Sequence, residues 1–335
     1  MSAARLSRLI VLLVALALGL RLAAAPAEGS RAIVMDASTG AVLHEDNADA
    51  VSPPASVTKL MTFLVAHDLI TAGRARLDTP ITANAADQSM GGTQLHLAAG
   101  ETFPVEELLH ATMVESANDA AHALTQLAGG REAFVALMNA RAQSLGMRNT
   151  VFRSPHGLPP EGRRVEDGDL TSPRDLALLA RELVSRTDIV RYTSQRVRPF
   201  GVGVRAEPLP MRNHNKLLGA VDGCDGLKTG YTRPAGFCLV ATAQRGTKRV
   251  IVVVLKSPDS KTRDAHVRRL IEEGFAKIPA DSVFTGAPTA LAPVRPAASA
   301  TGPVPVTPVS PVAPGSAHAE EPPPAVQFRL PPPRR

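Results

Sequence analysis

Aromatic side chains are scarce in this 335-residue chain, which has no tryptophan, two tyrosines and nine phenylalanines. Proteins that hold single-stranded nucleic acid stack bases on rings set in a basic groove, and no basic stripe interleaved with aromatics occurs here. The formal net charge of +6 is modest, so nucleic acid is excluded as a partner. A mild attraction to anionic cell-wall polymer fits such an excess, as does ordinary solvated surface charge. A membrane-length apolar run is missing from the N-terminal segment, where Leu9 to Leu20 falls short of the roughly 20 residues a spanning helix needs. With Arg5 and Arg8 before that run and small residues after it through Ala27, residues 1–27 have the layout of a secretory signal. Ala25-Pro26-Ala27 supplies the small-residue site, so the mature chain is expected to begin at Glu28; Arg21 makes an uncleaved anchor awkward.

Cysteine is nearly absent too. Cys224 and Cys238 leave one possible bridge in an exported chain. If the segments flanking Thr232 to Ala235 form a hairpin, Cys238 pairs near Thr229 and Cys224 lies about 16 Å further along at strand rise. Bridged Cα atoms rarely exceed about 7 Å, so two free thiols are expected.

What is present is an alternation of short strands and helical patterns. Ala32 to Met35 and Ala41 to His44 read as a hairpin joined by the polar turn Asp36 to Gly40. From Ser56 to Ile70, stopping at Gly73, the apolar residues Val57, Leu60, Met61, Phe63, Leu64 and Val65 cover most of a helix, which marks it as buried. Residues 74–103 read as loops and short strands without chemistry of their own, with His96 structural. Val105, Leu108, Leu109 and Met113 have helical spacing; the pattern breaks at Ser116-Ala117-Asn118-Asp119 and resumes from Ala120 to Leu127. Polar residues wedged there either point into a cleft or cap the second helix.

Further helices are expected from Arg131 to Leu145 and, behind Thr171-Ser172-Pro173, from Arg174 to Ser185. In the intervening loop His156 reads as a turn histidine bonding backbone, and Glu166 and Asp167 as solvated. Asp225 to Tyr231, Phe237 to Ala243 and Val250 to Leu255 read as three antiparallel strands sharing a sheet with the opening hairpin. Asp259 to Ala276 closes the domain as a helix with Ala265, Val267, Leu270, Ile271 and Phe275 inward. Nearly half of the 29 prolines fall beyond Pro279, in a stretch that cannot bury a core and is expected to be an extended, disordered spacer. The organisation is therefore a signal (1–27), one domain (28–279) and a Pro/Ala-rich tail (280–335).

The chemistry centres on Pro53-Pro54-Ala55-Ser56-Val57-Thr58-Lys59. Residues three apart on a helix are neighbours, so the Lys59 amine can sit beside the Ser56 hydroxyl. A serine hydroxyl is a poor nucleophile until a base takes its proton, and a lysine can be that base where burial disfavours its ammonium form. Two more motifs follow in order, Ser116-x-Asn118 and Lys228-Thr229-Gly230. The glycine of the second lets a ligand backbone approach the strand, while Lys228 and Thr229 offer a cation and a hydroxyl to an anionic group. Each motif alone is weak; the trio, on a helix, an interhelical loop and a strand, is the signature of penicillin-binding proteins and class A β-lactamases.

Pro54-Ala55-Ser56-Val57-Thr58-Lys59-Leu60-Met61-Thr62, Ser116-Ala117-Asn118-Asp119-Ala120, Asn213-His214-Asn215-Lys216-Leu217-Leu218 and Asp225-Gly226-Leu227-Lys228-Thr229-Gly230 resemble the low-molecular-mass D-alanyl-D-alanine carboxypeptidases over about residues 30–278. The resemblance implies an α+β fold with an antiparallel sheet flanked by helices and an all-helical subdomain. It implies an acyl-enzyme on peptidoglycan stem peptides, acylation by β-lactams, and no metal or cofactor. Ser56 would attack the penultimate D-alanine carbonyl, Lys59 would take the proton, Ser116 would relay it to the leaving amine, and Asn118 would bond substrate and Lys59. Lys228 and Thr229 would recognise the terminal carboxylate beside Gly230, and the N–H groups of Ser56 and Tyr231 would form the oxyanion hole.

Relatives at the inner membrane carry a second β-rich domain and an amphipathic terminal helix where this chain turns to proline, so no stable membrane anchor is expected and the protein is placed in the periplasm or cell wall. His214 occupies a variable place that some relatives fill with a base touching the carboxylate, and its role stays open, as do oligomeric state and stem-peptide preference. A class A β-lactamase needs a Glu-x-x-Leu-Asn loop; Glu166 is followed instead by Asp167-Gly168-Asp169-Leu170, so slow penicilloyl release is expected. An endopeptidase on crosslinks and a non-catalytic peptidoglycan- or β-lactam-binding module remain the alternatives.

Overall fold

The structure, a computed structural model, describes residues 31–160 and 164–286. The expected signal and the tail from residue 287 lie outside the described residues. Strands β1 (Arg31–Asp36) and β2 (Val42–Asp46) form the opening hairpin. They join β7 (Cys224–Thr232), β8 (Gly236–Arg245) and β9 (Lys248–Ser257) in one sheet of order β2-β1-β9-β8-β7, antiparallel throughout.

Alternation along these strands sends side chains to two different cores, as a period of two requires. Ala32, Val34, Val250, Val252 and Val254 pack with Val267, Leu270 and Ile271 of the closing helix α8 (Ser260–Lys277), whose N-cap Asp259 accepts the Thr262 N–H. Ile33, Met35, Ile251, Val253 and Leu255 face the larger cluster. That cluster includes α6 (Pro173–Arg186), begun by a Ser172 cap with proline at its first position. On α8 the inward residues differ from the sequence expectation: Ala265 is exposed and Phe275 half-buried, while Arg263 and Gly274 are buried.

The second half of the larger core is helical. α1 (Lys59–Thr71) is buried on nearly every side, as its composition predicts. Around it lie α3 (Val105–His110), α4 (Asn118–Ala123) and α5 (Arg131–Ser144). The first turn of the expected catalytic helix is a 3-10 turn, Ala55–Thr58, feeding directly into α1. Side chains at i and i+3 eclipse in that geometry, which aligns Ser56 with Lys59 more closely than an α-helix does.

Two short hairpins, β3 (Pro80–Thr82) with β4 (Thr102–Pro104) and β5 (Val197–Phe200) with β6 (Leu209–Arg212), complete the described sheets. Past residue 279, Ser282 is buried and Phe284 packs on the core. A serine and a phenylalanine escape a composition argument dominated by proline. Among the described residues no helix is long and apolar enough to cross a membrane.

Candidate active site

Lys59 Nζ lies 2.9 Å from Ser56 Oγ, 2.7 Å from Asn118 Oδ1 and 2.9 Å from the His156 carbonyl oxygen. The lysine is fully buried. Burial, reinforced by the Lys228 charge, holds its amine well below the usual lysine range, against the opposing pull of Asp169 and Asp119. The partners suit a neutral amine. Two are carbonyl oxygens that can only accept, matching two N–H donors; the third is a hydroxyl that can donate into the remaining lone pair.

Asn118 does not cap α4. The helix begins after Ala117 without a side-chain cap, and the Asn118 amide is engaged at both ends, its Nδ2 donating to the Gly91 carbonyl at 2.7 Å. Its backbone N–H donates to the Thr93 carbonyl at 2.8 Å. Residues 74–103, read as lacking chemistry, therefore supply the wall that orients Asn118. Asp119 secures that wall by accepting the N–H groups of Leu95 and Leu97. Ser116 follows a π-helical turn, Ala111–Glu115, and takes a left-handed backbone with φ of 69°, which directs it to the cleft instead of into a continuing helix.

His156 behaves as a turn residue. Its Nδ1 accepts the Leu158 N–H at 3.1 Å, and burial lowers its pKa to about 3. What the sequence reading missed is the His156 main-chain oxygen on Lys59. The turn carrying it is fixed by Asp169, which accepts from the Ser154 hydroxyl, the N–H groups of Arg153 and Ser154, and Thr58 Oγ1 of the turn that also carries Ser56. Gly157 lets this turn close: a Cβ there would lie 1.9 Å from the Ala55 carbonyl oxygen. Glu166 is exposed and paired with Arg164 at 3.0 Å, far from any role at Ser56.

The opposite wall is β7, the end strand of the sheet. Gly230 packs on the Ala55–Thr58 turn, where a Cβ would stand 2.9 Å from the Pro54 oxygen and 3.1 Å from the Ser56 nitrogen. Lys228 is buried, donates to the Thr229 carbonyl at 3.0 Å, and has its pKa lowered to about 7 by burial and the neighbouring Arg263, against the pull of Glu115. A cleft of about 270 Å³ is lined by Ser56, Thr93 and Ser116 on one side and Thr229, Gly230 and Tyr231 on the other. Arg263, a buried guanidinium from the first turn of α8, and the half-exposed His214 also line it. His214 Nε2 is 3.7 Å from Glu115 Oε1.

Asn213 and Asn215 are structural: Asn213 Nδ2 bonds the Thr193 and Gln195 carbonyls, and Asn215 Nδ2 the Gly226 carbonyl at the root of β7. Both cysteines are free; Cys238 stands opposite Gly230, one residue from the expected Thr229, and Cys224 opposite Ala243.

Comparison with known proteins agrees with this geometry. The chain is 33% identical over 251 residues to D-alanyl-D-alanine carboxypeptidase DacF of Bacillus subtilis, covering 75% of this chain and 63% of that one. It is 34% identical over 252 residues to DacA of Escherichia coli, covering 72% and 60%. The matched region thus spans under two thirds of the length of these relatives. Among solved structures, ampicillin-bound penicillin-binding protein D2 of Listeria monocytogenes superposes with a TM-score of 0.65 at 32% identity, over 73% of this chain and 96% of that one. Penicillin-binding protein 6B of Escherichia coli gives 0.67 at 32%, over 74% and 77%. Residues 21–259 match the profile of the D-alanyl-D-alanine carboxypeptidase family, peptidase S11, and the chain belongs to that family.

Proposed function

We propose that the protein is a serine D-alanyl-D-alanine carboxypeptidase that removes the terminal D-alanine of peptidoglycan stem pentapeptides and is acylated by penicillins. The observation that carries this is the Lys59 amine, fully buried, 2.9 Å from Ser56 Oγ and bonded otherwise only to carbonyl acceptors. An extended peptide lies along β7, whose outer edge has no strand beside it in the sheet among the described residues. Lys228 and Thr229 bind its terminal carboxylate. Ser56 Oγ attacks the carbonyl carbon of the penultimate D-alanine while its proton passes to Lys59 Nζ. The oxyanion is held by the N–H groups of Ser56 and Tyr231, a contribution of about 3 kcal/mol per donor.

The proton then travels through Ser116 to the leaving nitrogen, the C–N bond breaks, and D-alanine departs with its amine restored. Water attacks the Ser56 ester, its proton taken by Lys59, and the shortened peptide leaves with Ser56 re-protonated. Glu166, paired with Arg164 in solvent, offers no base for that water, so a penicilloyl ester is released slowly. Residues 1–27 direct export to the periplasm or cell wall and are removed; mass spectrometry of the exported protein should find Glu28 first, and an intact Met1 rejects this.

The activity is tested by incubating purified protein with a stem pentapeptide and with a crosslinked dimer. Release of free D-alanine from the pentapeptide, lost in Ser56→Ala, is expected. Cleavage of the dimer alone would make the enzyme an endopeptidase, and unchanged function in Ser56→Ala would make it a binding module.

A further inference from the structure

β7 is braced from a part of the chain that lies beyond residues 21–259, the stretch matched by the family profile. Arg249, early in β9 and almost fully buried, reaches across β8 to hold both carboxylate oxygens of Asp225, at 3.0 and 2.8 Å. On the way its guanidinium donates to Thr242 Oγ1 at 2.8 Å and to Gln244 Oε1 at 2.5 Å. Asp225 stands three residues before Lys228 on the same strand. The Arg249 Nε–H is buried without an acceptor among the described residues, so the guanidinium leaves one polar group unpaired. A ring lies beside it: the guanidinium carbon sits 5.2 Å from the centroid of Phe284.

Phe284 is itself held. Its N–H donates to the Thr247 carbonyl in the β8–β9 turn at 2.7 Å. Two residues earlier, the Ser282 hydroxyl donates to Asp36 Oδ2 at the end of β1, also at 2.7 Å.

We propose that residues 282–284 are a positioning strap for the substrate-binding strand, with Phe284 the positioning residue. Its ring face attracts the Arg249 cation and excludes water from the Arg249–Asp225 pair, which strengthens that pair. Through Asp225 the strap sets where Lys228 and Thr229 stand relative to Ser56. The consequence for kinetics rests on the carboxypeptidase reading. Lys228 and Thr229 place the carboxylate for attack by Ser56, and the Tyr231 N–H on the same strand is an oxyanion donor in both half-reactions, so a displaced strand slows acylation most and hydrolysis of the ester less.

The test compares full-length Phe284→Ala and Phe284→Leu with Val283→Ala, a change at an exposed neighbour. Three quantities are read: the second-order rate of labelling by fluorescent penicillin, the rate of label release, and hydrogen exchange of the amides of 226–232. For Phe284→Ala labelling is expected to fall about fivefold, the size of a cation–ring contact at a partly exposed ring, with release falling by less than labelling and faster exchange in 226–232. Phe284→Leu, which keeps the apolar fill and drops the ring, should fall between and decides the matter if the alanine variant does not fold; Val283→Ala should match wild type. Unchanged labelling and exchange would overturn the strap. So would an equal loss of labelling and release with faster exchange throughout α1, since Phe284 would then be an ordinary core residue. If wild-type protein takes no label, the carboxypeptidase reading fails while the exchange comparison still decides whether Phe284 braces β7.

Discussion

The two walls of the cleft each bury a lysine, and the two lysines are bonded in opposite ways. Lys59 has three partners at hydrogen-bond distance, Ser56 Oγ, Asn118 Oδ1 and the His156 carbonyl oxygen. Lys228 donates only to the Thr229 carbonyl among the described residues, and burial with Arg263 nearby lowers its pKa to about 7. The difference teaches that burial alone does not assign a role. Under the proposed function the lysine held beside a hydroxyl is the base, and the lysine with a single backbone acceptor, next to the cleft-lining Thr229, is the receptor for an anion.

The largest break in that contrast comes from Lys59→Met, which removes the base. Acylation by labelled penicillin should fall by about three orders of magnitude, with folding intact by circular dichroism. Lys228→Met should act through binding instead, lowering kcat/KM for pentapeptide about 10- to 100-fold, the worth of a charge-assisted contact to a carboxylate. Equal effects on kcat from both substitutions would erase the distinction. The pH profile sharpens it: acylation needs Lys59 neutral and Lys228 charged, so kcat/KM for a carboxylate substrate should decline above about pH 7 as Lys228 loses its proton. An ester substrate lacking the carboxylate should not show that decline.

Stability responds to the same lysine. The folded pKa of Lys228, about 7, lies below the ordinary 10.5. Between those values the unfolded chain binds the extra proton, so this group's contribution to stability rises with pH from 7 to 10.5 and is constant outside that window. Burying the ammonium costs roughly 3–5 kcal/mol at neutral pH. Lys228→Met should therefore raise the melting temperature most at pH 7 and least near pH 10.

Asp169→Asn is a smaller change. Four donors converge on the carboxylate, and an amide NH₂ meets at least one of them head-on, at about 1–3 kcal/mol in thermal or urea unfolding. Because the Asp169 charge raises the Lys59 pKa, its loss should also move the acid limb of acylation to lower pH. Smallest of all, Glu166→Gln should leave penicilloyl release within about twofold, as befits an exposed residue outside the deacylation chemistry.

The sheet, the buried helix and the three motifs were legible because each follows from local periodicity or from a short residue pattern. The nucleophile's 3-10 turn was not, since an α-helix and a 3-10 turn share the same apolar spacing over four residues. Asp169 and the carbonyls of Gly91, Thr93 and His156 were invisible for a different reason. A main-chain oxygen has no sequence signature, and an aspartate in a polar loop looks solvated until the fold brings Thr58 and Ser154 to it. Asp119, adjacent to Asn118, was the one supporting group a motif could have flagged. Phe284 was hidden by its proline-rich surroundings.

The position of β7 at the end of the sheet carries a hazard as well as a use. An open strand edge is a template on which any extended chain can pair, including the same strand of a neighbouring molecule, and such pairing leads to aggregation. Here the open edge lies against a narrow cleft, bounded by the Thr93 segment and the nucleophile's turn. A chain that pairs there must also fit between β7 and those residues, a condition a free peptide end meets more easily than a strand fixed in another sheet.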